Sequence, residues 1–346
     1  MRGGAMNAVR RLKSGLRGWG GVGAMAVLCA LAAVFALVLP VSGTRDDGVS
    51  TGGQGAGRGV QVRAEEDCED PQDQSLRPSG SESGDTITKI KERGYLRIGV
   101  DQNSYRWGYR DPNSTQDGAE LEGFDIDLAH RIAKEILGDP AKVRFRAIPT
   151  NQRIPAIQSG QVDMVVRTMT IGCKRLGQVA FSQPYFKTGQ QLLTPKSSSI
   201  KGYDKTLADK KICSATGSTA LDTLKADKTD GKLVASADIK SVNVPNQLDC
   251  LVRLQLGEVD AVVTDGALAA SQAAQDPTVK LTGEPFTTEY YGVAMKLKSD
   301  DLVRRVNQVL EDYLKDGWQA SYNKWLSPTL GDDSGQSRPP TPRYKD

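Results

Sequence analysis

Side chains able to do covalent or acid–base chemistry are scarce in this chain. One histidine, His130, occurs in 346 residues, which argues against most metal sites and most histidine-based general-base catalysis. It sits off a helical apolar stripe, beside Asp127, Arg131 and Lys134, and reads as a solvated residue. The five cysteines contain no Cys-x-x-Cys spacing of the kind that binds zinc or runs redox catalysis. Cys29 lies in an apolar run without the small residue that normally precedes a lipidated cysteine, and reads as filler. Cys68, Cys173, Cys213 and Cys250 remain, an even number that suits disulfides in an exported chain. Of three possible pairings we favour Cys213–Cys250 and Cys68–Cys173. The stretch Ala-Thr-Gly-Ser-Thr (215–219) opens a helix, where free N–H groups and the positive dipole end face outward. No Gly-Lys-Ser/Thr follows it, so a phosphate loop is disfavoured. No metal and no cofactor is expected.

The surrounding elements give these residues a setting. Lysine and arginine total 45 against 42 aspartate and glutamate, a net charge of +3. The charges are interspersed, without the basic, aromatic-studded stripe of nucleic-acid binding. Arg2, Arg10, Arg11, Lys13 and Arg17 precede an apolar run over 22–41. Residues 1–43 therefore read as a signal peptide or an N-terminal membrane anchor, the run being about 20 residues and long enough to span a bilayer. Residues 44–85 are polar and Gly/Ser-rich and read as a flexible stalk; 331–346 read as a disordered tail. Between them, β runs such as Tyr-Leu-Arg-Ile-Gly-Val (95–100) alternate with helical patterns. One such pattern carries Phe124, Leu128, Ile132 and Ile136; the last carries Leu302, Val306, Val309, Leu310 and Tyr313. Alternation predicts an α/β protein with largely parallel sheets, and ligands in such sheets bind at the carboxyl ends of strands.

Seven segments in order carry a resemblance: Leu-Arg-Ile-Gly-Val-Asp (96–101), Leu-Glu-Gly-Phe-Asp-Ile-Asp-Leu (121–128), Ile-Pro-Ala-Ile-Gln-Ser-Gly-Gln-Val-Asp (154–163), Thr-Met-Thr-Ile-Gly-Cys-Lys-Arg (168–175), Phe-Ser-Gln-Pro-Tyr (181–185), Ala-Thr-Gly-Ser-Thr (215–219) and Gly-Glu-Val-Asp-Ala-Val-Val-Thr-Asp (257–265). The chain resembles the polar amino-acid branch of the type 2 periplasmic-binding-protein superfamily, solute-binding protein family 3. Its cysteines and stalk are similar to those of actinobacterial glutamate/glutamine-type binders. The resemblance implies a two-lobed α/β fold with two crossovers near 188–193 and 290–294. Lobe 1 would be 86–190 plus 290–330, and lobe 2 would be 191–289.

It also implies roles. Arg175 matches the arginine that grips an α-carboxylate through a bidentate fork, chemistry that a planar guanidinium suits. Thr170 matches a residue offering its N–H to the carboxylate and its hydroxyl to the ammonium, and Thr168 a carbonyl acceptor for that ammonium. Thr216, Gly217 and Ser218 would meet the carboxylate from a helix N-terminus, and Asp265 would pair with the ammonium. Asp101 matches a position that accepts from a side-chain amide. Arg167 stands where relatives carry a small residue, and it or Arg106 would read an acidic side chain; alternatively Arg167 only neutralises Asp101. Cys213 replaces a lysine of glutamine binders, and Thr150 and Asn151 stand where an aromatic often stacks. The implied function is extracytoplasmic, membrane-associated capture of glutamate or aspartate, or of glutamine or asparagine. The bound free amino acid would pass to an ABC permease; the other readings are a membrane-anchored sensor with a membrane partner, or, remotely, an enzyme on the same fold.

Overall fold

Two five-stranded sheets organise the chain, and each is built outward from strands too apolar to sit anywhere but inside. In the computed structural model the described residues are 68–111, 120–240, 243–332 and 334–346, all within a unit running from Arg63 to Asp346. The expected signal or anchor, and the stalk up to residue 67, lie outside the described residues. Strands β1 (Leu96–Val100), β4 (Val143–Ala147), β5 (Met164–Val165), β6 (Ala180–Thr188) and β12 (Glu289–Met295) form the first sheet, in the order β4-β1-β5-β12-β6. Strands β7 (Gln190–Pro195), β8 (Ile212–Ala215), β9 (Asn243–Val244), β10 (Ala261–Asp265) and β11 (Val279–Thr282) form the second, in the order β11-β7-β10-β8-β9. A hairpin of β2 (Asn103–Ser104) and β3 (Gly108–Tyr109) follows β1.

The sheets are mixed rather than largely parallel. β1 pairs in parallel with β4 and β5, and β8 with β9 and β10, as strand–helix–strand units demand. β12 runs antiparallel to β5 and β6, and β7 antiparallel to β10 and β11. β7 and β12 are the strands by which the chain enters each sheet from the other, so no crossover helix sets their direction. The outward crossing is at Gly189, between β6 and β7. The return lies in 283–288, ahead of the expected 290–294, which already belong to the first sheet.

Packing follows the predicted stripes. Phe124, Leu128, Ile132 and Ile136 are buried along the helix Phe124–Leu137, and Leu302, Val306, Val309, Leu310 and Tyr313 along Asp300–Asp316. Gly123 opens the first of these helices at φ 130, where a Cβ would fall 2.4 Å from the Trp107 carbonyl oxygen. In the second sheet, alternation separates two cores. Leu192, Ile212 and Val263 pack on one face, and Leu193, Cys213 and Val262 on the other. The disulfide Cys213–Cys250 joins β8 to the helix Gln247–Gln255 inside that second core.

Two segments expected as stalk and tail are seated on the first lobe. Cys68 is bonded to Cys173. The Ser75 hydroxyl donates to the Phe181 carbonyl (2.9 Å), and Asn307 Nδ2 donates to Ser75 Oγ (2.8 Å) and the Leu76 carbonyl (2.5 Å). At the other terminus, Lys345 N donates to the Ser75 carbonyl (3.0 Å), Asp346 accepts from Arg77 N and Arg304, and Tyr344 donates to Glu311 and Gln183. A clasp of polar contacts and one covalent bond orders these segments, and apolar periodicity is blind to both.

Candidate functional site

Each sheet directs the carboxyl end of a strand at the gap between them. From the first lobe, the loop after β5 carries Arg167, Thr168 and Thr170 into the short helix Cys173–Leu176, which holds Arg175. From the second, β8 runs into Thr216, Gly217 and Ser218, and β10 ends on Asp265. Gly217 is at φ 80 and lies so close to the other lobe that a Cβ would fall 2.7 Å from Asn151 Cα. Only glycine tolerates both demands. Ser218 caps the helix Thr219–Thr229, its hydroxyl accepting from Leu221 N at 3.1 Å.

A small cavity lies between these ends. Arg153, Thr168, Thr170 and Arg175 line it from one side; Ser218, Thr219, Gln247 and Asp265 line it from the other. Thr168, Thr170, Arg175, Ser218 and Asp265 are thus brought together from among the residues expected there. Gly217 turns its carbonyl to Arg175 Nη2 (3.2 Å) and Arg153 Nη2 (3.3 Å). The Thr216 amide is taken by the Val244 carbonyl (2.8 Å). Arg175 Nη1 donates to the Thr170 carbonyl at 2.7 Å, and the Thr170 and Thr219 hydroxyls face each other at 3.4 Å across the gap.

The remaining candidates lie elsewhere. Arg167, wholly buried, is ion-paired with Asp101 at 2.8 Å and donates to Thr150 Oγ1 (3.1 Å) and Asn246 Oδ1 (3.2 Å). It holds the two lobes together beside the cavity and does not line it. Arg106 donates to the Trp325 carbonyl at 3.0 Å with its guanidinium over Tyr105, turned toward the C-terminal helices. His130 is half-buried, far from the site in role: its Nδ1 contacts the Pro140 carbonyl at 2.7 Å and its ring meets Phe145 edge-on.

Five buried residues that sequence reasoning missed complete the surroundings. Thr168 adopts φ 39, a strained left-handed backbone for a β-branched residue. Its amide is held by Asp125 Oδ2 at 3.0 Å, while Asp125 Oδ1 accepts from the Tyr185 hydroxyl at 2.8 Å. Burial pushes the Asp125 carboxyl up to about 7, against those two donors. Tyr291 in β12 donates to Asp265 Oδ2 at 2.6 Å, so a first-lobe strand orients a second-lobe carboxylate. Glu289, also in β12, accepts from Gln190 (2.7 Å) and Thr219 (3.3 Å). Burial, then Glu289, pushes Asp265 up to about 7; Tyr291, Arg175 and Arg153 oppose the rise. Desolvation lowers Arg175, and Glu289 and Asp265 restrain the fall. The fifth is Arg153. The signal for it was available only as one more basic residue before an Ile-Pro helix start.

Such a cavity has guanidinium donors on one wall and a carboxylate on the other. Chemically it can pair with both ends of a zwitterion. Residues 96–328 match the family model for bacterial extracellular solute-binding proteins, family 3. The chain is 34% identical over 243 residues to the glutamine-binding protein of an ABC transporter in Bacillus subtilis, covering 70% of this chain and 85% of that one. It is 31% identical over 276 residues to a glutamate-binding protein of Corynebacterium efficiens, covering 76% and 87%. Among solved structures it is similar to a solute receptor for L-cysteine from Neisseria gonorrhoeae, with TM-score 0.66 and 27% identity, covering 74% of this chain and all of that one.

Proposed function

Because the chain belongs to the bacterial extracellular solute-binding proteins of family 3, we propose that it captures a free polar amino acid outside the cytoplasmic membrane and delivers it to an ABC importer, without catalysing a reaction on it. The ligand is glutamate or aspartate, with glutamine and asparagine next, and the N-terminal segment keeps the protein at the membrane. One observation carries this reading: Arg175 and Asp265 stand on opposite walls of one cavity and come from different lobes. An α-carboxylate and an α-ammonium are each costly to desolvate unless paired, so a site that supplies both partners favours the whole zwitterion. The two partners meet only when the lobes are together, which links capture to closure. The names of the Bacillus and Corynebacterium relatives support the amino-acid class and, for the former, the transporter.

Calorimetric titration of the purified protein against each of the common amino acids tests the reading. One or a few polar amino acids are expected to bind with micromolar or tighter affinity, about −8 kcal/mol or better. Absence of binding by every one of them would overturn it.

A further inference from the structure

The first sheet requires the chain to swivel at Thr168. Just before it, Val166 N still donates to the Gly99 carbonyl of β1 at 2.9 Å. Just after it the chain runs against β12: Gly292 N donates to the Met169 carbonyl (3.1 Å) and Ile171 N to the Tyr290 carbonyl (2.8 Å). Thr168 makes the change of partner at φ 39, and Thr170, bridged to Tyr291, then meets the cavity beside it. A β-branched residue keeps a left-handed backbone only where its surroundings over-determine it. The tie comes from the helix Phe124–Leu137. Asp125, at its second position and 1% exposed, accepts from the Thr168 amide through Oδ2 (3.0 Å) and from the Tyr185 hydroxyl through Oδ1 (2.8 Å). Arg167, the cation that favours its charge, is ion-paired with Asp101 instead. A carboxylate is a costly acceptor to bury for two neutral donors, and the positive end of its own helix offsets only part of that cost.

We propose that Asp125 is a positioning residue for the ligand clamp: by holding the Thr168 amide it fixes the left-handed turn that sets Thr168 and Thr170 on the cavity wall. This rests on the amino-acid-receptor reading. Asp125 is absent from the cavity lining, so it acts through Thr168 and touches no ligand itself. Without the tie, Thr168 relaxes toward an ordinary backbone, and binding must restore the strained turn each time. The residues so placed face the part common to all α-amino acids, so the effect is the same whatever the ligand's side chain.

The test titrates glutamate, aspartate, glutamine, asparagine and any further common amino acid that the full-length wild type takes, with thermal unfolding alongside. Asp125→Leu alone would strand the Tyr185 hydroxyl, so it is made in Tyr185→Phe, which by itself should bind within about threefold of wild type. Adding Asp125→Leu should weaken every ligand by about tenfold or more, and to the same extent. With Thr168→Gly in both proteins, the same step should cost about threefold or less, because glycine needs no tie to stay left-handed. Unchanged affinity in the folded Leu variant, a loss that Thr168→Gly does not reduce, or a loss confined to some ligands overturns the proposal. Asp125→Asn keeps an acceptor for the Thr168 amide and should bind within about threefold of wild type. A folded Asn variant that loses about tenfold also overturns the proposal, and this variant decides if the Leu form does not fold. A folded wild type that binds no amino acid refutes the receptor reading instead.

Discussion

Two arginine environments lie side by side in this molecule and behave as opposites. Around Arg167 the charge is answered from within: Asp101 pairs with it, and Thr150 and Asn246 take further donors, with Nε alone left without a partner. Around Arg175 and Arg153 the donors stop at backbone carbonyls, and the nearest carboxylates, Asp265 and Glu289, are engaged by Tyr291, Gln190 and Thr219. The first arrangement is closed on itself and serves the fold. At the second, the described residues give neither arginine an ion pair, and under the proposed function the ligand's carboxylate supplies one to Arg175.

The contrast can be broken by mutation. Removing one member of a buried ion pair strands the other, so Arg167→Met should destabilise the protein by about 3–5 kcal/mol while leaving the ranking of ligands unchanged. Thermal or urea unfolding beside ligand titration reads both; a changed ranking with unchanged stability would put Arg167 in the second class. Arg175→Ala should do the reverse. Binding should weaken by about 2–5 kcal/mol, roughly thirty- to several-thousand-fold, with unfolding close to wild type. A folded Arg175→Ala protein with wild-type affinity would remove it from the site.

The smallest effect concerns protons. Asp265 is pushed up to about 7 in the closed cavity. Pairing with an ammonium lowers that value, so the bound state holds fewer protons than the free one. Affinity should then rise as pH climbs toward about 7, level off above it, and change by no more than roughly tenfold between pH 6 and 8. Titrations in buffers of different ionisation enthalpy should register proton release near neutrality. A flat profile without release would separate Asp265 from the ammonium.

Much of this was legible in the chain. Thr168, Thr170 and Arg175 fall within one short segment, and local spacing carries them to one wall together. Asp265 is legible because a strand of apolar residues ends on it. What was not legible depends on distances between segments far apart in sequence. The sequence singles out Arg167 and Arg106 and passes over Arg153, and only the fold pairs the first with Asp101, points the second at Trp325 and leaves the third facing the cavity. Ser75 and Tyr344 look like linker residues because their contacts are single polar bonds to Phe181, Gln183, Glu311 and Asn307. No hydrophobic period announces such a clasp.

The Cys68–Cys173 bond also has a mechanical meaning. Cys173 opens the four-residue helix that carries Arg175. A pull entering the chain at Cys68 takes the covalent shortcut across the sulfurs and arrives in that helix, bypassing the 105 positions that separate the two cysteines. The second lobe is joined to the first through the backbone at Gly189 and the 283–288 return. Under the proposed membrane attachment, a load on the N-terminal segment arrives at the helix that carries the proposed carboxylate-binding arginine.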